Sequence, residues 1–262
     1  MFYCCGITDK GIMPHNEDAF LIGKEVRDSG TAYVQGDIPF IAAVSDGVSG
    51  ERSGEMASRM CLGIMSRMEF VSAGTLAGEL YSVHNRLMEI GSQSPELNNM
   101  QTTLCGFAAF ERGKIVSFNA GDSRLYLYRD DYIRQLTRDQ SLVQMLYEEG
   151  SITFAETRTH VHRNIICPVF GNLKARPQVD IKEFEVLHGD IFILCTDGLS
   201  DYVSALEIQE ILELPKSLEK RLEILVEKAL GNGGSDNITI VAAVCLENNE
   251  DIKPLEDEGG KI

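Results

Sequence analysis

Apolar residues recur along the chain in two rhythms. Short unbroken runs, Phe40-Ile41-Ala42-Ala43-Val44, Asp190–Cys195 and Ile238–Cys245, predict buried strands. Spacings of three and four predict helices that each bury one face. Met56, Met60, Ile64 and Met68 mark one over Glu51–Met68; Leu76, Leu80, Val83, Leu87 and Ile90 mark another over Thr75–Ile90. The methionines read as core filler, which their flexible thioethers suit.

Between Thr102 and Leu136 lies a strand-rich block: Thr102–Phe110, Lys114–Asn119, Arg124–Tyr128 and Tyr132–Gln135. Short turn-like links join them, which implies antiparallel pairing. Asp139–Glu149 reads as a helix stopped by Gly150, and further helices follow over Leu206–Leu212 and Leu218–Leu230. Helices come in pairs and strands in runs, without the alternation of a Rossmann-type chain. The fold class is therefore α+β, layered, with antiparallel sheets. Ser151–Gly171 shows no period and carries Arg158, His160 and Arg163, so it reads as a surface excursion. Residues 1–246 are expected to form one domain, and 247–262 an acidic, disordered tail.

A formal charge of −16 argues against nucleic acid as a partner. No apolar run approaches the roughly 20 residues of a membrane span, and the N-terminus has no secretory pattern. Seven scattered cysteines, without a Cys-x-x-Cys pair, suggest reduced thiols in a cytoplasmic protein. The histidines lack a His-x-x-x-His spacing, so zinc is not expected.

The chemistry sits at strand ends. Val44-Ser45-Asp46-Gly47, Asn119-Ala120-Gly121-Asp122 and Cys195-Thr196-Asp197-Gly198 each place an aspartate there, and Ser235-Asp236-Asn237 enters the last strand. Asn16-Glu17-Asp18 precedes Ala19-Phe20-Leu21-Ile22. Asp-Gly alone is an ordinary turn dipeptide. If the strand ends converge, however, several carboxylates meet and repel, and a divalent cation resolves the conflict. Mg and Mn take oxygen ligands and keep waters. Two such ions form a hydrolytic site for phosphate esters and need no protein nucleophile. The chain has no Gly-x-Ser-x-Gly elbow and no P-loop.

The ordered set Asn16-Glu17-Asp18, Ser45-Asp46-Gly47-Val48-Ser49-Gly50, Ala120-Gly121-Asp122-Ser123-Arg124, Thr196-Asp197-Gly198-Leu199-Ser200-Asp201 and Ser235-Asp236-Asn237-Ile238-Thr239 resembles the metal-dependent protein phosphatases of type 2C, bacterial branch. The resemblance runs from about Gly6 to Cys245. It implies a four-layer sandwich of two stacked antiparallel sheets flanked by helix pairs. It also implies two or three Mg or Mn ions and a phosphoserine or phosphothreonine protein as substrate. Asp46 would bridge both metals, with the Gly47 carbonyl on one and Asp197 and Asp236 on the other. Glu17 and Asp18 would hold metal-bound waters, and Asp122 with Asp201 a third metal. Residues 151–175 would be the family's flap, where Thr159-His160 and Arg163-Asn164 echo flap residues.

Two positions depart from the family pattern. Met13 stands where the family usually has a phosphate-gripping arginine, a bidentate fork that methionine cannot replace. His15, Lys10 and Arg163 are candidates to compensate, each also readable as a plain surface residue. Val48 stands where many members have a histidine acid. The expected activity is hydrolysis of phosphoserine or phosphothreonine on proteins by a monomer, opposing a serine/threonine kinase. The alternatives are a metal-binding regulatory domain with little catalysis, which Met13 motivates, and an esterase for small phosphorylated metabolites.

Overall fold

The computed structural model describes residues 1–48, 53–98 and 100–247. The predicted tail beyond Glu247 lies outside the described residues, as do Ser49 and Gly50 of the first aspartate motif and the expected start of the first helix at Glu51. The described strands form two six-stranded sheets. One runs in the order β4 (Gly30–Gly36), β1 (Phe2–Asp9), β12 (Ile238–Cys245), β11 (Ile191–Cys195), β8 (Arg124–Arg129) and β9 (Tyr132–Gln135). The other runs β10 (Asp180–Glu185), β7 (Lys114–Ala120), β6 (Leu104–Ala109), β5 (Phe40–Asp46), β2 (Asp18–Ile22) and β3 (Glu25–Arg27). Every pairing is antiparallel.

The unbroken apolar runs have a simple cause: side chains alternate between two buried faces. In β11, Phe192 and Leu194 point between the sheets, while Ile193 and Cys195 point to the helices behind. In β5, Phe40, Ala42 and Val44 take the inter-sheet side and Ile41 and Ala43 the outer one. Helices α1 (Ser53–Met65) and α2 (Ala73–Gly91) cover the second sheet through Leu62, Met65, Leu76 and Leu80. Helices α6 (Ala205–Leu212) and α7 (Leu218–Gly231) cover the first through Ile208, Leu212, Leu222 and Leu225. The result is the expected α+β four-layer sandwich with three apolar layers. Among the described residues no helix is long and apolar enough to cross a membrane.

Several elements depart from the sequence reading. Strand β1 was not foreseen, although Phe2, Cys4 and Cys5 are all buried in it. Strands β4 and β10 lie at sheet edges, where polar and charged residues hide the pattern. The helix expected from Asp139 is shorter, α3 (Leu142–Glu148), because Ser141 caps it and accepts a hydrogen bond from the Gln144 amide. Asp139 turns away to bind Arg124. The excursion holds one helical turn, α4 (Phe154–Thr157), closed by a reciprocal Thr153–Glu156 capping box.

Phe192 is fully buried between the sheets, within ring contact of Phe107 at 5.4 Å. Phe192→Ala is expected to lower the unfolding free energy by about 3–5 kcal/mol. Urea titration of both proteins measures it, and a loss below about 1 kcal/mol would mean the layer repacks freely.

Candidate active site

Each aspartate is carried to one end of the sandwich by a strand whose register is fixed by its neighbours. Asp18 and Asp46 are direct cross-strand partners on β2 and β5. Like charges placed opposite each other are unfavourable, so the pairing needs compensation. Asp18 is buried and its carboxylate accepts a hydrogen bond from the Thr196 hydroxyl at 2.7 Å. Thr196 in turn accepts from the Thr239 amide, and Thr239 shares a 2.6 Å hydroxyl contact with Thr8. This chain of hydroxyls ties β1, β12 and the end of β11 to the site.

Asp46 ends β5. Its amide donates to the Thr103 hydroxyl, and its carbonyl accepts from the Thr102 hydroxyl and the Thr103 amide. Asp197 opens the four-residue helix α5 (Asp197–Ser200) just past β11, so the predicted strand-end aspartate is also a helix start. Asp201 follows, its amide bonded to the Asp197 carbonyl at 2.8 Å. Asp236 is exposed at the entry to β12. Asn237 beside it is buried and acts as a bracket: its side-chain oxygen accepts from the Glu17 amide, and its nitrogen donates to the carbonyls of Lys10 and His15.

Both Asp-Gly glycines allow close backbone approach rather than a hairpin turn. A Cβ on Gly47 would lie 2.1 Å from the Gly54 carbonyl oxygen, and one on Gly198 would lie 1.8 Å from that of Asn237. Only hydrogen fits at these points.

Electrostatics show that the aspartates share one field. Burial pushes Asp46 well above the ordinary carboxylate range, and repulsion from Asp18, Asp197, Asp122 and Asp236 adds to it. Asp197 is raised likewise by burial, then by Asp122, Asp236, Asp201 and Asp18. Asp18 is pushed up to about 7 by burial, against the hydrogen bonds from Thr196 and Thr239. Asp122 also rises to about 7, through burial and then the nearby Asp139. Asp201 is raised by burial, an effect opposed first by Arg163.

This donor set fits a hard divalent cation. One carboxylate oxygen of Asp197 is buried without a hydrogen-bond partner, an expensive state unless something positive meets it. The ligands on offer are carboxylates and the Gly47 carbonyl, all oxygen. Oxygen donors of this kind suit Mg or Mn, which bind through few carboxylates and retain waters.

The two substrate candidates are placed differently. His15 is exposed, with its carbonyl held by Asn237. Arg163 is paired with Asp201 at 2.7 Å, and Arg158 donates to the Asp201 carbonyl at 2.6 Å. Met13 sits in the Lys10–Met13 turn, its amide bonded to the Lys10 carbonyl. Sequence reasoning missed Asp139, which clasps Arg124 beside Asp122, and the threonines at 8, 102, 103, 196 and 239. Thr196 and Thr239 stand inside the quoted motifs, so their signal was present but unread.

Residues 22–232 match the family described as protein phosphatase 2C. The chain belongs to the protein phosphatase 2C family. Listeria innocua serine/threonine phosphatase stp is 32% identical to this protein phosphatase 2C chain over 244 residues, covering 89% of this chain and 92% of that protein. A crystal structure of the Mycobacterium tuberculosis serine/threonine phosphatase PstP/Ppp superposes with a TM-score of 0.78 at 29% identity, over 94% of this chain and all of that one (100%). A second PstP structure, the catalytic domain in complex with 2 manganese ions, gives 0.76 at 27% identity, over 94% of this chain and 100% of that one. Glu17, Asp18 and Asp236 fall outside the 22–232 stretch matched to the protein phosphatase 2C family.

The raised carboxyls of this protein phosphatase 2C chain carry a sign for stability. The pKa of about 7 for Asp18 and Asp122 in the folded chain lies above the ordinary aspartate value of 3.8. The folded chain then holds protons that the unfolded chain releases. That stabilisation is present below the unfolded pKa and is lost as pH rises through about 7. In EDTA the melting temperature is expected to fall between about pH 5.5 and pH 8, and Mn at pH 8 to raise it again. Differential scanning fluorimetry reads both; a flat profile indifferent to Mn would contradict the repulsion described above.

Proposed function

We propose that this chain hydrolyses phosphoserine and phosphothreonine monoesters on proteins, with two or three Mg or Mn ions held by the aspartate cluster. The observation that carries the reading is the convergence of Asp46, Asp197, Asp122, Asp18 and Asp236 on one field, with a buried Asp197 oxygen left unpartnered. Similar proteins named serine/threonine phosphatases support it, and favour turnover over a silent regulatory role.

Asp46, the Gly47 carbonyl, Asp197 and Asp236 would hold the two ions, and Asp122 with Asp201 a third. Bound there, divalent cations acidify water and offset the charge on phosphoryl oxygens. The protein's own part is to fix the ligands. The Thr102 and Thr103 hydroxyls lock the Asp46 backbone. Thr196 orients Asp18, which together with Glu17 would position water. Asn237 holds the Glu17 backbone and the Lys10–His15 loop against Asp236. Such supports are worth about 10–100-fold in metal affinity or activity.

We read residues 1–246 as one catalytic domain and 151–175 as its flap. Arg158 and Arg163 reaching Asp201 support that reading. The substrate is a phosphoprotein, and a serine/threonine kinase is the fitting opponent. Seven unbonded cysteines, five of them buried, agree with the cytoplasm.

Hydrolysis of para-nitrophenyl phosphate and of a phosphothreonine peptide in Mn, Mg and EDTA tests the proposal. Release of phosphate is expected with either metal and not with EDTA. Asp46→Asn should cut turnover at least about 100-fold, while the EDTA-treated variant melts no lower than its parent, because a repelling charge is gone. Full turnover in Asp46→Asn sinks the two-metal assignment. Met13→Arg should lower KM for the phosphopeptide by about tenfold, since a fork on phosphate adds a charge-assisted pair; an unchanged KM would show that position 13 does not face the phosphate.

A further inference from the structure

Beside the aspartate cluster lies a cavity of about 360 Å³ that the chemistry above does not use. It shares Asp122, Asp197 and Asp201 with the cluster, so whatever enters it is a near neighbour of the reacting phosphate. Its volume is at the lower end of ligand sites, enough for one large side chain.

Its lining is selective. Two carboxylates in it are already neutralised. Arg124 clasps Asp139 through Nε at 3.0 Å and a second nitrogen at 2.6 Å, and Arg163 pairs with Asp201. A lysine or arginine side chain would find no free partner there, apart from the aspartates assigned to cations. Tyr126, Val143, Phe154 and Leu206 give it an apolar side, next to polar groups that include Arg158 and Asn164. Phe154 and Leu206 also stand 63% and 61% exposed, so they form its mouth. Phe154 is held there edge-on by Tyr147, with ring centroids 5.6 Å apart. Ser200, only 4% exposed, lines the same cavity with a buried hydroxyl that has no hydrogen-bond partner. Such a hydroxyl calls for a polar atom from outside.

We propose that this cavity is a subsite for an aromatic side chain of the phosphoprotein substrate, close in sequence to the phosphorylated residue. Tyrosine fits best, with its ring between Phe154 and Leu206 and its hydroxyl on Ser200. The proposal rests on the phosphatase reading of the adjoining cluster.

The test uses phosphothreonine peptides that carry Tyr, Phe, Ala, Lys or Glu at each flanking position in turn. Two quantities are read: kcat/KM in Mn, and the affinity of matching non-hydrolysable phosphonate peptides. At one flanking position the aromatic peptides should exceed alanine by about tenfold in both, as expected for filling one apolar pocket. Leu206→Ser and, independently, Phe154→Ser should bring the aromatic-to-alanine ratio close to one; both positions are exposed, so little buried packing is lost. Ratios near one at every position, or an unchanged ratio in both variants, overturn the subsite. If the phosphonate peptides show the preference and no peptide is turned over, the subsite stands and the phosphatase reading falls. Turnover that ignores the flanking residue has the opposite meaning.

Discussion

Repulsion among carboxylates is the constraint on which the rest of the structure turns. Asp18, Asp46, Asp122 and Asp197 crowd one end of the sandwich, where burial and neighbouring negative charge raise all four carboxyls. Left alone, such a cluster pushes the sheets apart or takes up protons. The scaffold holds it instead, with three apolar layers behind it and threonine hydroxyls threaded through it. Energy stored this way is what makes the site avid for hard cations, since a cation removes the repulsion and the desolvation cost together.

The division of labour between side chains and backbone follows from that load. Carboxylates contribute charge, but their position is set by groups that carry none. Thr103, Thr196 and Asn237 are buried and polar, and each bridges segments far apart in the chain. Glycines 47 and 198 let two backbones touch at the points where the aspartates emerge. A larger residue at either place would move an aspartate before it disturbed any contact of that aspartate's own.

Much of this was legible in the sequence, for physical reasons that also explain the gaps. Strands buried on both faces, such as β5 and β11, leave unbroken apolar runs and were found. The edge strand Asp180–Glu185 faces solvent and carries charge, so its pattern resembled a loop. Asp46, Asp122, Asp197 and Asp236 stood out because each lies at the end of an apolar run. Asp139 did not, since it follows no strand end and its role depends on Arg124, fifteen residues away. The helix expected from Asp139 begins instead at Leu142, behind the Ser141 cap. Arg163 reads either as one of three candidates to stand in for the missing arginine or as a plain surface residue, and sequence does not reveal that Asp201 already holds it.

The pairing of β1 with β12 has a consequence during synthesis. β1 lies between β4 and β12 and is matched to β12 along its whole length, from Phe2 opposite Cys245 to Asp9 opposite Ile238. While the polypeptide is still emerging from the ribosome, β4 can cover one edge of β1, but the other stays bare until Ile238–Cys245 has been made. The same strand is introduced by Asp236 and Asn237. A chain stalled short of it therefore has neither β12 beside β1 nor Asp236 and Asn237 at the cluster, so the sheet and the aspartate cluster are completed by the same late segment.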